Sequence, residues 1–198
     1  MTASFLLFIS IAFGSDLHTG VPVSGIDGLG VPRFQTVDTG WMATVPNGFV
    51  RVYVGSSRSD ADRWVNQRLE KLAASNPAPN QDFIESFQVE EAYGDGKQLL
   101  IFRSKNVAVC ARSKVAATPW AEAILKSIVD IPYPWPTPPS LSVKDEHWVI
   151  NAPSGSKHIA YVGGVLAPSA SLKFVKPPYR VIAWDHWGRA AWTEVAVP

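Results

Sequence analysis

Apolar and polar positions alternate with period two over Phe49–Val54. Val50, Val52 and Val54 fall on one side, and Phe49, Arg51 and Tyr53 on the other, the pattern of a strand. Trp41–Val45 is a second strand-like run, and Pro46-Asn47-Gly48 between the two predicts a hairpin turn. The period then changes. Ala61, Trp64, Val65, Leu69 and Leu72 recur at helical spacing, while Arg63, Gln67, Glu70 and Lys71 fall mostly on the other side. Ser59 and Asp62 read as the capping box of that helix, and Pro77 and Pro79 stop it near Ser75. Phe83–Ala92, Gln98–Arg103 and Val107–Arg112 predict a meander that turns at Gly94-Asp95-Gly96 and at Lys105-Asn106. Its middle strand is apolar on both faces, Leu99 and Ile101 against Leu100 and Phe102. Both faces must therefore be covered, one by helices and the other by the leader or the C-terminal region. Thr118-Pro119, as N-cap and first helical residue, opens a second helix. Its stripe is Trp120, Ala121, Ile124, Leu125, Ile128 and Val129, and it ends at Asp130. The order β-β-α-β-β-β-α over residues 40–130 predicts an α+β domain, an antiparallel sheet with two helices on one face.

Upstream, Ser4–Phe13 is an uncharged apolar block, too short to span a bilayer and of the length of a signal-peptide core. Ala12 and Gly14 are the small residues of a cut before Ser15, so residues 1–14 are expected to be a signal peptide. The one cysteine is Cys110, so no cysteine follows the apolar block to carry a lipid anchor. A periplasmic or secreted product follows, without a transmembrane segment in the mature chain. Residues 15–39 are rich in Gly and Pro and lack periodicity, which predicts an extended leader lying on the domain or partly disordered. Gly25–Gly30 is not a phosphate loop, since no Gly-Lys-Ser/Thr ending and no helical pattern follow it.

Residues 131–139 hold five prolines in nine positions, which no helix or central strand accommodates. They read as a polyproline II linker of about 28 Å, open to proteases. An alternative use is docking in an aromatic-lined groove. Residues 140–198 show no helical period. Strands are expected at 140–144, 147–151, 158–166, 171–175, 180–185 and 190–197, a small all-β sandwich. The run Ala183-Trp184-Asp185-His186-Trp187-Gly188-Arg189, followed by a terminal strand, resembles the last hairpin of bacterial immunoglobulin-like domains, with their Ala-x-Asp-x-x-Gly-Asn/Arg pattern. The resemblance covers about twenty residues and implies an adhesive, spacer or partner-binding module at a bacterial surface, without chemistry of its own.

Composition narrows the function classes. The 18 basic and 17 acidic residues give a net charge of +1 with no basic run, which argues against nucleic acid as a partner. A single cysteine rules out a disulfide framework and a Cys-based zinc site. Cys110, mid-strand between Val109 and Ala111, is expected to be buried and inert. His147, His158 and His186 could hold a metal if the strands brought them together, but no spacing enforces this, and solvated strand-end residues are the plainer expectation. Ser154-Gly155-Ser156-Lys157 matches Ser-x-x-Lys but lies in a Pro/Gly turn of a domain too small for that active site. Glu90 and Glu91 point to opposite faces of a strand, poor geometry for acid–base work.

The eight tryptophans are the most suggestive group. Trp148, Trp184, Trp187 and Trp192 crowd the β-domain, either as core mass or as a binding platform. Trp184 and Trp192 could form a cross-strand pair, and Trp187, in the turn, is the best candidate for exposure. No catalytic residue, metal or cofactor is assigned. The expected role is non-enzymatic binding or structure at the cell envelope, with a protein or glycan partner. The alternatives are carbohydrate binding through the Trp-rich β-domain and an envelope enzyme with a site between the domains.

Overall fold

The computed structural model describes residues 18–95, 97–144, 147–152, 157–162, 165–167, 171–173 and 180–194. The expected signal peptide and residues 154–156 of the Ser-x-x-Lys motif lie outside them. In chain order the elements are β1 (Thr19–Gly20), β2 (Arg33–Phe34), β3 (Trp41–Val45), β4 (Gly48–Val54), α1 (Arg58–Lys71), α2 (Gln81–Phe87), β5 (Glu91–Gly94), β6 (Leu99–Ser104), β7 (Val107–Ser113), α3 (Thr118–Lys126) and β8 (Val129–Asp130). There follow β9 (Ser140–Lys144), β10 (His147–Asn151), β11 (Lys157–Val162), β12 (Val165–Ala167), β13 (Ser171–Lys173), β14 (Arg180–Trp184) and β15 (Ala190–Glu194). The fold is α+β. An antiparallel sheet of six strands, in the order β2-β3-β4-β7-β6-β5, carries the helices. The C-terminal strands form two further antiparallel sheets, β13-β10-β9 and β12-β11-β14-β15.

The helices cover both faces of the six-stranded sheet, not one. On the first face Val52 stands opposite Val109, and Phe102 opposite Val109 in turn. That layer packs under Phe83 of α2, Ala121 and Ile124 of α3, and Val21 and Val23 of the leader. On the second face Leu99, Ile101, Ala108 and Cys110 pack under Ala61, Trp64 and Val65 of α1. The double-sided apolar pattern of β6 thus has its cause: each face meets a different helix.

Four local expectations shift. Helix α1 begins two residues early, with Ser57 as N-cap accepting from the Asp60 N–H at 3.2 Å; both Ser-x-x-Asp frames present the same stripe to the sheet. The predicted strand over Phe83–Ala92 is instead helix α2 followed by the short β5. Asn80 caps α2 by accepting from the Phe83 N–H at 3.0 Å, and the Phe83 and Phe87 rings, four apart, meet in a tilted pair with centroids 4.6 Å apart on one face. Helix α3 starts at Thr118, with Ala117 in the cap position and Pro119 in the first turn, and stops at Lys126 rather than Asp130. Val129 and Asp130 leave the helical path to pair with Gly20 and Thr19 of the leader.

The leader is therefore part of the fold. Asn106, in the tight β6–β7 turn, accepts the Thr19 N–H at 3.0 Å and the Thr19 hydroxyl, and donates to Thr19 O at 3.1 Å and Gly55 O at 2.8 Å. All four hydrogen bonds of its buried amide are thereby made. Further along, the Val21 and Val23 N–H groups donate to Trp187 O and His186 O, both at 3.0 Å. The leader lies between the α+β sheet and the turn of the last hairpin.

Candidate functional site

The Pro-rich segment runs along β15. Trp135 Nε1 donates to Ala190 O at 2.9 Å, Arg189 donates to Tyr133 O at 3.0 Å, and the Thr193 hydroxyl donates to Pro139 O at 2.5 Å. Strand β15 is an edge of its sheet, and proline has no N–H with which to extend a ladder. The segment so covers an edge that would otherwise recruit other strands. Instead of a free spacer, the chain places an aromatic- and proline-rich wall beside the last hairpin.

A groove of about 420 Å³ opens where that wall meets β15, the end of β4 and the start of α1, within the ~300–1,000 Å³ usual for ligand sites. Tyr53, Trp135 and Trp192 line it with Pro136, Pro138, Thr39, Ser56, Asp60 and Arg63. Each ring is held by other groups. Tyr53 stacks on Trp64 of α1, centroids 5.9 Å apart and planes at 6°. Trp135 is fixed by its bond to β15, with the Arg189 guanidinium 5.7 Å from its centroid. Trp192 is 44% exposed, with the Arg180 guanidinium 5.9 Å away.

The polar side of the groove is internally compensated. The Ser56 hydroxyl donates to Asp60 at 2.6 Å, and Arg63 lies 3.6 Å from the same carboxylate. Arg180, which reaches over the Trp192 ring, is paired with Glu194 at 2.6 Å. Burial, and secondarily the Asp60 charge, push the Tyr53 hydroxyl above its ordinary pKa, so it stays a neutral phenol at neutral pH. Thr39 has a φ of 54°, costly for a β-branched residue. Its carbonyl accepts the indole N–H of Trp184 at 2.8 Å, which pins it in place.

The four tryptophans singled out in the β-domain fare differently. Trp184 is fully buried against Phe34, at 4.9 Å, so it belongs to the core and offers no surface. Trp187 is half-buried, and its indole N–H finds no hydrogen-bond partner among the described residues. Its backbone carbonyl, not its ring, serves the leader. Of those whose side chains are described, Trp192 lines the groove. Trp148 lies in β10 opposite Val143 and Leu172, and its side chain is outside the described residues. Trp184 and Trp192 do not face each other: Trp184 is opposite Ala190, and Trp192 opposite Ile182. The sequence reading missed Tyr53 and Trp135 as groove residues. Trp135 was legible only as an aromatic embedded in prolines.

The remaining candidates are placed as follows. His147 and His158 stand on strands of different sheets, and His186 in the β14–β15 turn. Among the described residues no group of three His, Cys, Asp or Glu side chains could hold a metal. Cys110 is buried, and burial pushes its thiol up to about 11. Glu91 pairs with Arg103 across the β5–β6 ladder at 2.6 Å. Among the described residues no helix is long and apolar enough to cross a membrane.

Comparison with known protein families, with curated proteins and with solved structures returned no match.

Proposed function

We propose that this is a binding protein of an exported compartment, periplasmic or secreted, without catalysis of its own, whose ligand sits in the Tyr53–Trp135–Trp192 groove. The observation that carries this is convergence. Three aromatic side chains from separate stretches of chain meet around one concavity, beside a hydroxyl, a carboxylate and a guanidinium. Rings on a rigid frame offer contact area at little entropic cost, and a few polar groups fix orientation. Export rests on the apolar block at Ser4–Phe13.

The seven C-terminal strands described, in sheets of three and four, support an immunoglobulin-like module as one of two domains, with the Pro-rich segment between them. The enzyme alternative has less support. Asp60 is the sole carboxylate among the described groove-lining residues, whereas sugar hydrolysis, for example, ordinarily takes two.

A thermal-shift screen with saccharides and peptides tests the binding reading. A ligand at a hundred times its Kd stabilises by about 2.7 kcal/mol, a shift of roughly 5–10 °C for a chain of this size. A shift present in the wild type and absent in Trp192→Ala is expected. A panel without any shift, or one that Trp192→Ala leaves intact, refutes the groove as the site.

A further inference from the structure

We infer that the groove takes a neutral oligosaccharide built of flat, equatorially substituted pyranose rings. This deepens the binding reading above and rests on it. The large apolar side chains of the lining are the rings of Tyr53, Trp135, Trp192, Pro136 and Pro138, and its aliphatic residues are the small Val54, Ala190 and Ala191. The C–H faces of a pyranose pack on such rings, and its edge hydroxyls remain free for polar partners.

Those partners are in place. The Asp60 carboxylate has acceptor capacity beyond the Ser56 hydroxyl, and Arg63, with its side chain 68% exposed, has donors to spare. An acceptor and a fork of donors side by side suit vicinal hydroxyls, each of which both donates and accepts. The charges match a neutral ligand as well. Asp60 is balanced by Arg63, and Glu194 by Arg180, so the described lining offers no uncompensated charge to an anionic or cationic one.

A peptide fits less well. Strand addition at β15 meets the Pro-rich segment, which already uses Ala190 O and the Thr193 hydroxyl. A proline-rich ligand needs donors along its carbonyls, and of those the groove could offer, the indole N–H of Trp135 is already committed to Ala190 O.

The test is a titration of the full-length protein followed by tryptophan emission. The probes are cellotetraose, chitotetraose, tetragalacturonate and a proline-rich decapeptide. At least one of the two neutral tetrasaccharides is expected to saturate, with Trp192→Ala and Arg63→Ala each weakening it about tenfold or more. Both side chains are exposed, and circular dichroism verifies that each variant folds. Saturation by the decapeptide alone overturns the saccharide assignment while the binding reading stands. Preference for tetragalacturonate overturns the neutral-ligand assignment. Saccharide binding that both variants retain, or no saturation by either neutral tetrasaccharide up to solubility, also overturns the inference.

Discussion

Arg189 donates to Asp185 at 2.6 Å within the turn of the last hairpin, and both side chains are nearly buried, at 5% and 13% exposure. The pair does more than close the turn. The same Asp185 carboxylate accepts the Trp187 and Arg189 backbone N–H groups, at 2.9 and 3.0 Å. The guanidinium reaches on to Tyr133 O. Arg189 also forms a parallel bridge with Val54 at the end of β4. The Asp-x-x-Gly-Arg stretch is thus the point at which the last hairpin, the Pro-rich segment and the six-stranded sheet meet.

Replacing Arg189 by Leu leaves the Asp185 charge buried without its counter-ion. Breaking such a pair costs about 3–5 kcal/mol, to be read from equilibrium urea unfolding. The same variant should release the Pro-rich segment. A proline-specific endoprotease is expected to spare 131–139 in the wild type and to cut it in Arg189→Leu. Equal cutting of both proteins contradicts the strap arrangement.

Asn106→Ala removes the clamp on Thr19. The Thr19 backbone N–H and carbonyl and the Gly55 carbonyl lose buried partners. Each such group costs about 1–3 kcal/mol if nothing replaces the bond, so a loss of roughly 2–4 kcal/mol in total is expected after relaxation. Amide hydrogen exchange should accelerate first at Thr19–Val23. Unchanged protection there would show that the leader is held by other contacts.

Gly188→Ala combines two penalties. The residue has a φ of 73°, and an added Cβ would meet the buried Trp41 indole. A left-handed non-glycine residue costs about 1–3 kcal/mol, and overpacking adds a similar amount. A drop in Tm well beyond that of an exposed control such as Val37→Ala is the expected result.

Cys110 makes stability fall with alkaline pH. The unfolded thiol ionises near its ordinary 9, whereas the folded one keeps its proton to about 11. Between those values the unfolded state binds fewer protons, so stability present below pH 9 is lost as pH rises to 11, by an amount of order 2 kcal/mol. Cys110→Ala should flatten that part of the pH–stability curve. In the native protein the thiol should resist iodoacetamide at pH 8, and rapid labelling there would contradict its burial.

Much of the six-stranded sheet was legible because its signals are local. Pro46-Asn47-Gly48 does separate two strands, with Asn47 at φ 58°. The Lys105-Asn106 turn joins β6 to β7, with Lys105 at φ 55°. Where the structure departs from the sequence reading, a helix cap or a non-local contact decides. Phe83–Phe87 carries alternation and helical spacing at once, and the Asn80 cap, which was passed over, settles it as helix. Val129 continues the apolar stripe of α3, yet the chain leaves the helix to pair with the leader. In the C-terminal region the long run expected over 158–166 is two strands, β11 and β12, paired with each other.

The candidate groove was less legible still. Trp192 came from counting tryptophans, and Tyr53 was read only as the back of an alternating strand.

By itself the sequence determined the elements whose signals are periodic or steric: the alternation of β4, the stripe of α1, the double-sided β6, and a proline run that could be neither helix nor central strand. These follow from side-chain direction and backbone sterics within a few residues. Only the tertiary structure decided that helices cover both faces of the sheet, that the Pro-rich run lies along β15, and that Tyr53, Trp135 and Trp192 share one groove. Such relations join residues far apart in the chain through hydrogen bonds and packing, and no local period records which distant surface a side chain will meet.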